Sequence, residues 1–144
     1  MFQPVPEAAD HKRFSASLPL DDAHRKRLEC ARGRICLHHD LETPAYFASL
    51  YLLTANEDLY RRSSNCFCRG SLELDYATVR GISAHNYALL SAAKCLYSDR
   101  CGLMLTDLTS QELFDSVAFS LILNAILIAR YGPAVLALRE RRLS

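Results

Sequence analysis

The densest run of apolar residues in the chain begins at Thr109, in the segment TSQELFDSVAFSLILNAILIARYG. Thr109 suits the N-cap of a helix, and Glu112 three residues later completes a capping box. At the far end Gly132 favours a positive backbone φ, and Pro133 cannot extend the same hydrogen-bond ladder. The pattern therefore predicts a long helix over 109–131.

Apolar side chains occupy nearly every face of this helix, because only Ser120 and Asn124 are polar between Val117 and Ala129. Such a helix lies in the middle of a core or in a membrane. The run is shorter than the roughly 20 apolar residues that a bilayer requires, so we expect a central core helix. One of its faces is also expected to remain for a partner or a second copy. A buried Asn124 needs a hydrogen-bond partner, and we expect that partner in a loop.

Four further segments carry helix start signals and apolar residues at helical spacing. Residues 64–82 lack that spacing and are predicted to be an ordered loop, because a lone short strand would need a partner. Residues 1–17 are predicted to form a loosely ordered arm, and the residues after Pro133 a short, frayed helix. The predicted helix starts are Asp21 or Asp22, Thr43-Pro44 and Ser83, with ends near 36, 55 and 98–102. At Asn56 we expect either a kink in the second helix or the start of a separate short helix that ends near 63.

These patterns predict an all-α fold, a compact bundle of four to six helices around a central apolar helix at 109–131. The segments 44–62 and 84–97 are its expected neighbours. At 144 residues the chain is expected to form one helical domain over 18–144, behind the N-terminal arm. The predicted core comprises apolar residues from these segments: Phe47, Leu50, Leu53, Leu59, Leu90, Ala93, Leu96, Phe114, Val117, Leu121, Ile122, Ala125 and Ile128.

The charges of the chain nearly balance, with 17 Lys and Arg against 16 Asp and Glu. A net charge of +1 produces no strong field, so nucleic acid is not favoured as a partner. The N-terminus lacks the apolar segment of a signal peptide, and we expect a cytoplasmic protein. In that reducing compartment the six cysteines are expected to be free thiols.

Candidate chemistry is sparse. The spacing of the possible zinc ligands matches no common zinc module, since no C-x-x-C pair occurs. His85 heads a helix without a nucleophile elbow or a Gly-rich oxyanion loop, and the glycine motifs that bind phosphate do not occur. We therefore predict no catalytic residue, no cofactor and no metal. The possible zinc ligands are Cys30, Cys36, His38, His39, Cys66 and Cys68.

Two sets of polar residues are candidate sites. The first is a polar clamp, or a possible functional site, in the two best-patterned segments, where Asp58 and Arg130 are expected to form an ion pair. The second is an arginine-bearing helix at 21–36, which offers a nucleic-acid interface as an alternative. The clamp comprises Asn56, Asp58, Tyr60, Arg130 and Tyr131, and the nucleic-acid set comprises Arg25, Lys26, Arg27, Arg32 and Arg34.

Three stretches together resemble a family of small uncharacterised proteins, a domain of unknown function found in phage-like and other mobile-element regions of Gram-positive bacteria. They are LYLLTANEDLYRR at 50–62, SAHNYALLSAAKCLYS at 83–98 and DLTSQELFDSVAFSLILNAILIARYG at 107–132. The chain departs from the family pattern in the 64–82 loop. The resemblance implies no reaction, cofactor or catalytic residue, and it favours an accessory protein that binds a host component. It is carried chiefly by Thr54, Asn56, Asp58, Leu59, Tyr60, Ala125, Ile126, Arg130, Tyr131 and Gly132.

Three functional hypotheses follow. The first is a non-enzymatic protein–protein interaction or regulatory module with an unknown protein partner, in which a homodimer is one possible assembly, because the apolar helix has more faces than a small fold covers. The alternative is a nucleic-acid-binding regulator that uses the helix at 21–36. The further alternative is a small enzyme with a noncontiguous Cys/His or acid site.

Overall fold

The computed structural model describes residues 20–98 and 100–135. Within these ranges the chain is mainly helical, as predicted for a small helical bundle, and it contains one two-stranded antiparallel hairpin. The predicted arm at 1–17 and most of the predicted helix after Pro133 lie outside the described residues. The elements are α1 (Asp22–Ile35), α2 (Pro44–Leu53), α3 (Glu57–Arg62), β1 (Phe67–Cys68), β2 (Ser71–Leu72), α4 (Ala84–Tyr97), α5 (Leu105–Leu108) and α6 (Ser116–Tyr131).

Four predicted N-caps are confirmed by side-chain hydrogen bonds to the first turn of a helix. Asp21 accepts from the backbone N–H of His24 at the start of α1, and Thr43 accepts from that of Tyr46 at the start of α2. The helix α2 also ends near residue 55, and the separate short helix α3 follows it. The other two caps are Asn56, which accepts from Leu59, and Ser83, which accepts from Asn86.

The most enclosed helix is α2, which packs against both α4 and α6. Most of its side chains are buried, including Tyr46 and Tyr51, whereas α6 keeps one face exposed. Nine of the thirteen predicted core residues are buried, and Phe47, Leu96 and Leu121 are partly buried against the core. The prediction for Val117 is wrong: its side chain is 62% exposed in the first turn of α6.

The predicted start of the long helix is wrong. Thr109 ends α5 rather than starting α6, and its hydroxyl donates to the Thr106 carbonyl at 2.7 Å. The N-cap of α6 is Asp115, whose Oδ1 accepts from the Ala118 backbone N–H at 2.8 Å. A carboxylate at a helix N-terminus also interacts favourably with the helix dipole, which a threonine hydroxyl does not match. The far end is confirmed, since Gly132 follows α6 with a φ of 86°.

The prediction of a strandless loop at 64–82 is also wrong, because two short strands pair with each other there. Phe67 lies opposite Leu72, and Cys68 lies opposite Ser71. Gly70 in the connecting turn has a φ of 87°, and its N–H donates to the carbonyl of Ile35 at 2.6 Å. The hairpin is thereby fixed to the end of α1.

Three buried polar contacts link α2 to its neighbours, and in one of them the Ser49 hydroxyl donates to the Ala93 carbonyl of α4 at 2.9 Å. The Nε2–H of His24 in α1 donates to the Tyr51 carbonyl at 2.8 Å. Asn124 in α6 donates from Nδ2 to the Tyr51 hydroxyl at 3.1 Å. The expectation of a buried, hydrogen-bonded Asn124 is therefore confirmed, but its partner lies on a helix and not in a loop.

Candidate functional site

A stripe of exposed apolar side chains runs along α6. Phe119, Leu123 and Ile126 are 37%, 42% and 39% exposed, and their spacing of four and three residues places them on one face. The opposite face, which includes Ile122 and Ala125, is buried against the core. We name these three exposed residues the α6 stripe. Exposed apolar side chains that adjoin one another mark interaction surfaces more often than isolated ones do.

An apolar groove adjoins the α6 stripe. It is an open cavity of about 180 Å³ between α4, α5 and α6. Met104 and Leu105 form its outer wall and are 68% and 83% exposed. Ile126 belongs both to the stripe and to this lining, so the two surfaces are continuous. We name this cavity the α5 groove; its lining is Ala92, Cys95, Leu96, Cys101, Leu103, Met104, Leu105, Leu108, Ile122 and Ile126.

A wider and more polar hollow of about 560 Å³ lies at the N-terminal end of the α6 stripe. Phe119 borders this hollow, and Leu108 lines both it and the α5 groove. Asp115 and Ser116 supply polar groups on its α6 side. The exposed apolar surface is therefore bounded by polar side chains at the start of α6.

Opposite charges stand at the two ends of the α6 stripe. Asp115 at the N-terminus accepts from the Ala118 N–H, and its Oδ2 lies 2.8 Å from Nδ1 of His85 on α4. The Ala118 N–H and then His85 hold the pKa of Asp115 below its usual range. Arg130 lies at the C-terminal end, with its guanidinium 5.4 Å from the centroid of the Tyr131 ring. Both charges have the sign that the helix dipole favours at their end.

His85 is thus a link between two helix starts. An Asp–His pair of this kind orients a catalytic imidazole when Nε2 contacts a nucleophile. Among the described residues no hydroxyl or thiol lies in hydrogen-bond contact with that nitrogen. The geometry favours a structural contact between the N-terminus of α4 and the N-cap of α6.

The structure brings together part of the predicted polar clamp. Asn56 donates from Nδ2 to Oδ1 of Asn86 at 2.7 Å, and Asn86 donates from its own Nδ2 to Oδ2 of Asp58 at 2.9 Å. Arg62 donates from Nε to the same Asp58 oxygen at 2.9 Å. The Arg62 contact and then the Asn86 contact hold the pKa of Asp58 below its usual range. These four residues fix α3 to the start of α4.

Arg62 extends the clamp to the segment before α4. Its Nη1 donates to the carbonyls of Thr78 and Arg80 at 3.2 and 2.8 Å, and its Nη2 donates to that of Gly81 at 3.2 Å. These backbone groups consume the guanidinium donors in internal contacts. The clamp therefore shapes the fold around 78–81.

The other predicted clamp residues lie elsewhere. The expected ion pair between Asp58 and Arg130 is wrong, because Asp58 pairs with Arg61 and Arg62 on its own helix. Pairs three and four residues apart on one helix need no tertiary contact. Tyr60 packs against Phe67 of the hairpin, with ring centroids 5.9 Å apart. Arg130 and Tyr131 contact each other at the end of α6.

The arginines of the proposed nucleic-acid interface also make internal contacts. Arg27 donates to the carbonyls of Thr54 and Ala55 at the end of α2. Arg32 donates twice to Glu42, at 2.7 and 3.0 Å, which lowers the pKa of the Glu42 carboxyl. Arg25 pairs with Asp22, Arg34 donates to the Ser64 carbonyl, and Lys26 is exposed. The nucleic-acid alternative stays a prediction, with most of its basic groups in structural roles.

The prediction that all six cysteines are free thiols is wrong. Cys95 and Cys101 form a disulfide that joins the end of α4 to the segment before α5, and both line the α5 groove. The four other cysteines are free, and Cys66 is buried in a site that raises its thiol pKa to about 11. Within residues 20–98 and 100–135 no group of three or more His, Cys, Asp or Glu side chains is arranged to hold a metal ion.

No helix within the described ranges is long and apolar enough to cross a bilayer. Comparisons with protein-family models, with curated proteins and with solved structures find no match for this chain. The candidate site consequently depends on geometry alone. Sequence reasoning did not single out Met104, Leu105, Phe119 and Leu123, although the absence of a polar face on the long helix signalled that some apolar surface would remain exposed.

Proposed function

We propose that the protein is a non-enzymatic protein–protein interaction module that binds an amphipathic helix of a partner protein across the α6 stripe and the α5 groove. One observation carries this proposal. Three half-exposed apolar side chains at helical spacing adjoin an apolar cavity that Met104 and Leu105 border. A helix laid in such a groove presents apolar anchors at positions i, i+3 or i+4, and i+7.

The charge pattern supports a helical partner. Asp115 and Arg130 stand at opposite ends of the α6 stripe, and the three stripe residues between them are apolar. A partner helix with an apolar face and opposite charges at its ends satisfies both features. The proposal also agrees with the resemblance to a mobile-element family whose members are expected to bind host components, and that resemblance remains a prediction.

The test is a selection of helical peptides from a displayed library against the folded protein. We expect the selected peptides to share apolar anchors at one-turn spacing and to bind the unaltered chain. Leu123→Glu places a carboxylate in the stripe and should weaken binding at least about tenfold, because an interface loses affinity when a charge is buried without a partner. Val117→Glu is the matched control, since Val117 is exposed on α6 outside the stripe.

Equal binding by both variants would contradict the proposal, because it would place the peptide on another surface. Selection of no helical peptide at all would also count against it. Circular dichroism of each variant checks that the fold is retained before binding is compared.

A further inference from the structure

We infer that the α6 stripe also binds a second copy of this chain, with the two α6 helices antiparallel and a two-fold axis between Ile122 and Leu123. The inference rests on the proposed function, because it uses the same surface. Its basis is the order of residues along the exposed face. The apolar residues of that face are placed symmetrically about the axis. The charged residues at its two ends are also placed symmetrically, and they have opposite signs.

The positions on the face are symmetric about one point. Phe119 and Ile126 lie at equal distances along the helix on either side of the bond between residues 122 and 123. Asp115 and Arg130 also lie at equal distances from that bond. At 3.6 residues per turn, Phe119, Leu123, Ile126 and Arg130 fall within an arc of about 60°, and Asp115 precedes them as the N-cap of the helix.

An antiparallel pair of helices related by that axis brings unlike groups together. Phe119 of one copy meets Ile126 of the other, and Leu123 lies beside its own counterpart at the axis. Asp115 of one copy lies beside Arg130 of the other at both ends. A parallel pair would instead place like charges together, which costs binding energy. A second copy in the antiparallel direction therefore satisfies the charge complementarity of this face, and a parallel copy does not.

Met104 and Leu105 flank the same surface and extend the apolar contact beyond the helix pair. Even so, one stripe and one groove wall form a small interface compared with the roughly 800 Å² per partner of a standard complex. We therefore expect a dimer in equilibrium with monomer at micromolar concentrations and not a permanent assembly.

Site-specific disulfide cross-linking tests the register. The chain first carries Cys30→Ser, Cys36→Ser and Cys68→Ser, which remove the free thiols that are not buried. In this background Leu123→Cys should give a covalent dimer under mild oxidation with diamide. Val117→Cys is the control at an exposed α6 position off the stripe, and it should remain monomeric.

The direction of the pair is tested by mixing. An equimolar mixture of Phe119→Cys and Ile126→Cys chains, one carrying a mass tag, should form the mixed dimer in preference to either self-linked dimer. Self-linking of Phe119→Cys chains in preference to the mixed dimer would overturn the antiparallel arrangement. Arg130→Glu, which replaces attraction at both ends with repulsion, should raise the dimer dissociation constant about tenfold or more in sedimentation equilibrium.

Sedimentation equilibrium of the unaltered, full chain covers the case in which the variants fold poorly. A monomer at all concentrations up to about 1 mM, where binding energies fall below about 4 kcal/mol, would overturn the inference. If the selected peptides still bind through Leu123 in that case, the proposed function stands and only self-association fails. If those peptides also ignore Leu123, both fail.

Discussion

The hydrogen bond between Tyr51 and Asn124 should set the rotation of α6 about its own axis. Asn124 is 5% exposed, lies within α6 and donates to the Tyr51 hydroxyl of α2 at 3.1 Å. In the helix it points about 100° away from Leu123. Holding Asn124 against α2 therefore keeps the α6 stripe on the outside. We predict that this contact is energetically coupled, which a double-mutant cycle measures.

Each single substitution should destabilise the fold. Tyr51→Phe removes the acceptor and leaves the buried Asn124 amide without that bond, at a cost of about 1–3 kcal/mol. Asn124→Leu replaces the amide with an apolar group of similar size and should cost a similar amount, because the buried hydrogen bond from Asn124 to the Tyr51 hydroxyl is lost. The double substitution puts apolar groups on both sides, which is far less costly than leaving one polar group buried.

Urea unfolding followed by circular dichroism gives the four free energies of the cycle. We expect the double variant to be less destabilised than the sum of the singles by about 1–2 kcal/mol, within the range found for contacting residues. In thermal melts each 1 kcal/mol should appear as a shift of about 4 °C for a chain of this length. Additivity within about 0.5 kcal/mol would refute the coupling, and with it the assignment of α6 rotation to this bond.

Three further predictions concern polar groups that the fold places in unusual settings. The Tyr46 hydroxyl is buried without a hydrogen-bond partner among the described residues, so Tyr46→Phe should raise the unfolding free energy by about 1 kcal/mol, as measured in urea. Burial lowers the pKa of His24 below 6.5, so below that pH the unfolded chain binds a proton that the folded chain does not. Stability should therefore fall as the pH drops from 6.5, by at most about 1.4 kcal/mol per pH unit, and His24→Gln should flatten this part of the pH profile. Asp58→Ala should lower the melting temperature, because it removes the hydrogen bonds from Arg62 and Asn86 in the polar clamp. Glu57→Ala, at the neighbouring exposed acid, is the control and should leave the melting temperature unchanged. Equal melting temperatures for the two variants would show that the clamp does not stabilise the fold.

Local signals made the helix starts predictable from the sequence. An N-cap requires only a side-chain oxygen and the N–H group two or three residues later, so Thr43, Asn56 and Ser83 could be assigned without tertiary information. The start of α6 could not be assigned correctly from local signals alone. The Thr-x-x-Glu spacing assigned the cap to Thr109, whereas in the structure Thr109 ends α5 and Asp115 caps α6.

Contacts between distant residues were less predictable. The hairpin at 67–72 needs a turn that local alternation did not reveal, and the disulfide between Cys95 and Cys101 depends on where the chain goes after α4. The pairing of Asp58 with Arg62 was visible as a four-residue spacing, yet the prediction selected Arg130 because both stood in well-patterned segments. Sequence proximity on a helix is a stronger guide to an ion pair than shared patterning.

The sequence predicted that α6 would expose some apolar surface, but not which residues would form it. An apolar helix in a chain of 144 residues leaves some apolar surface exposed, and the pattern indicated as much. The packing of α2 and α4 decides which face of α6 is covered. Ile122 is buried and Leu123 is exposed, although both are apolar and the sequence does not distinguish them. Only the packed structure separates core from candidate interface.

Both proposals require that the α6 stripe is surface and not core. The most direct measurement is the unfolding free energy of Leu123→Glu at submicromolar concentration, where self-association is absent, with Ile122→Ala as the buried reference. We expect a loss of unfolding free energy below about 1 kcal/mol for Leu123→Glu, as for surface positions, and a loss of about 2–5 kcal/mol for Ile122→Ala. A loss for Leu123→Glu as large as that for Ile122→Ala would show that the chain itself covers the stripe, which would leave no α6 surface for a partner or a second copy.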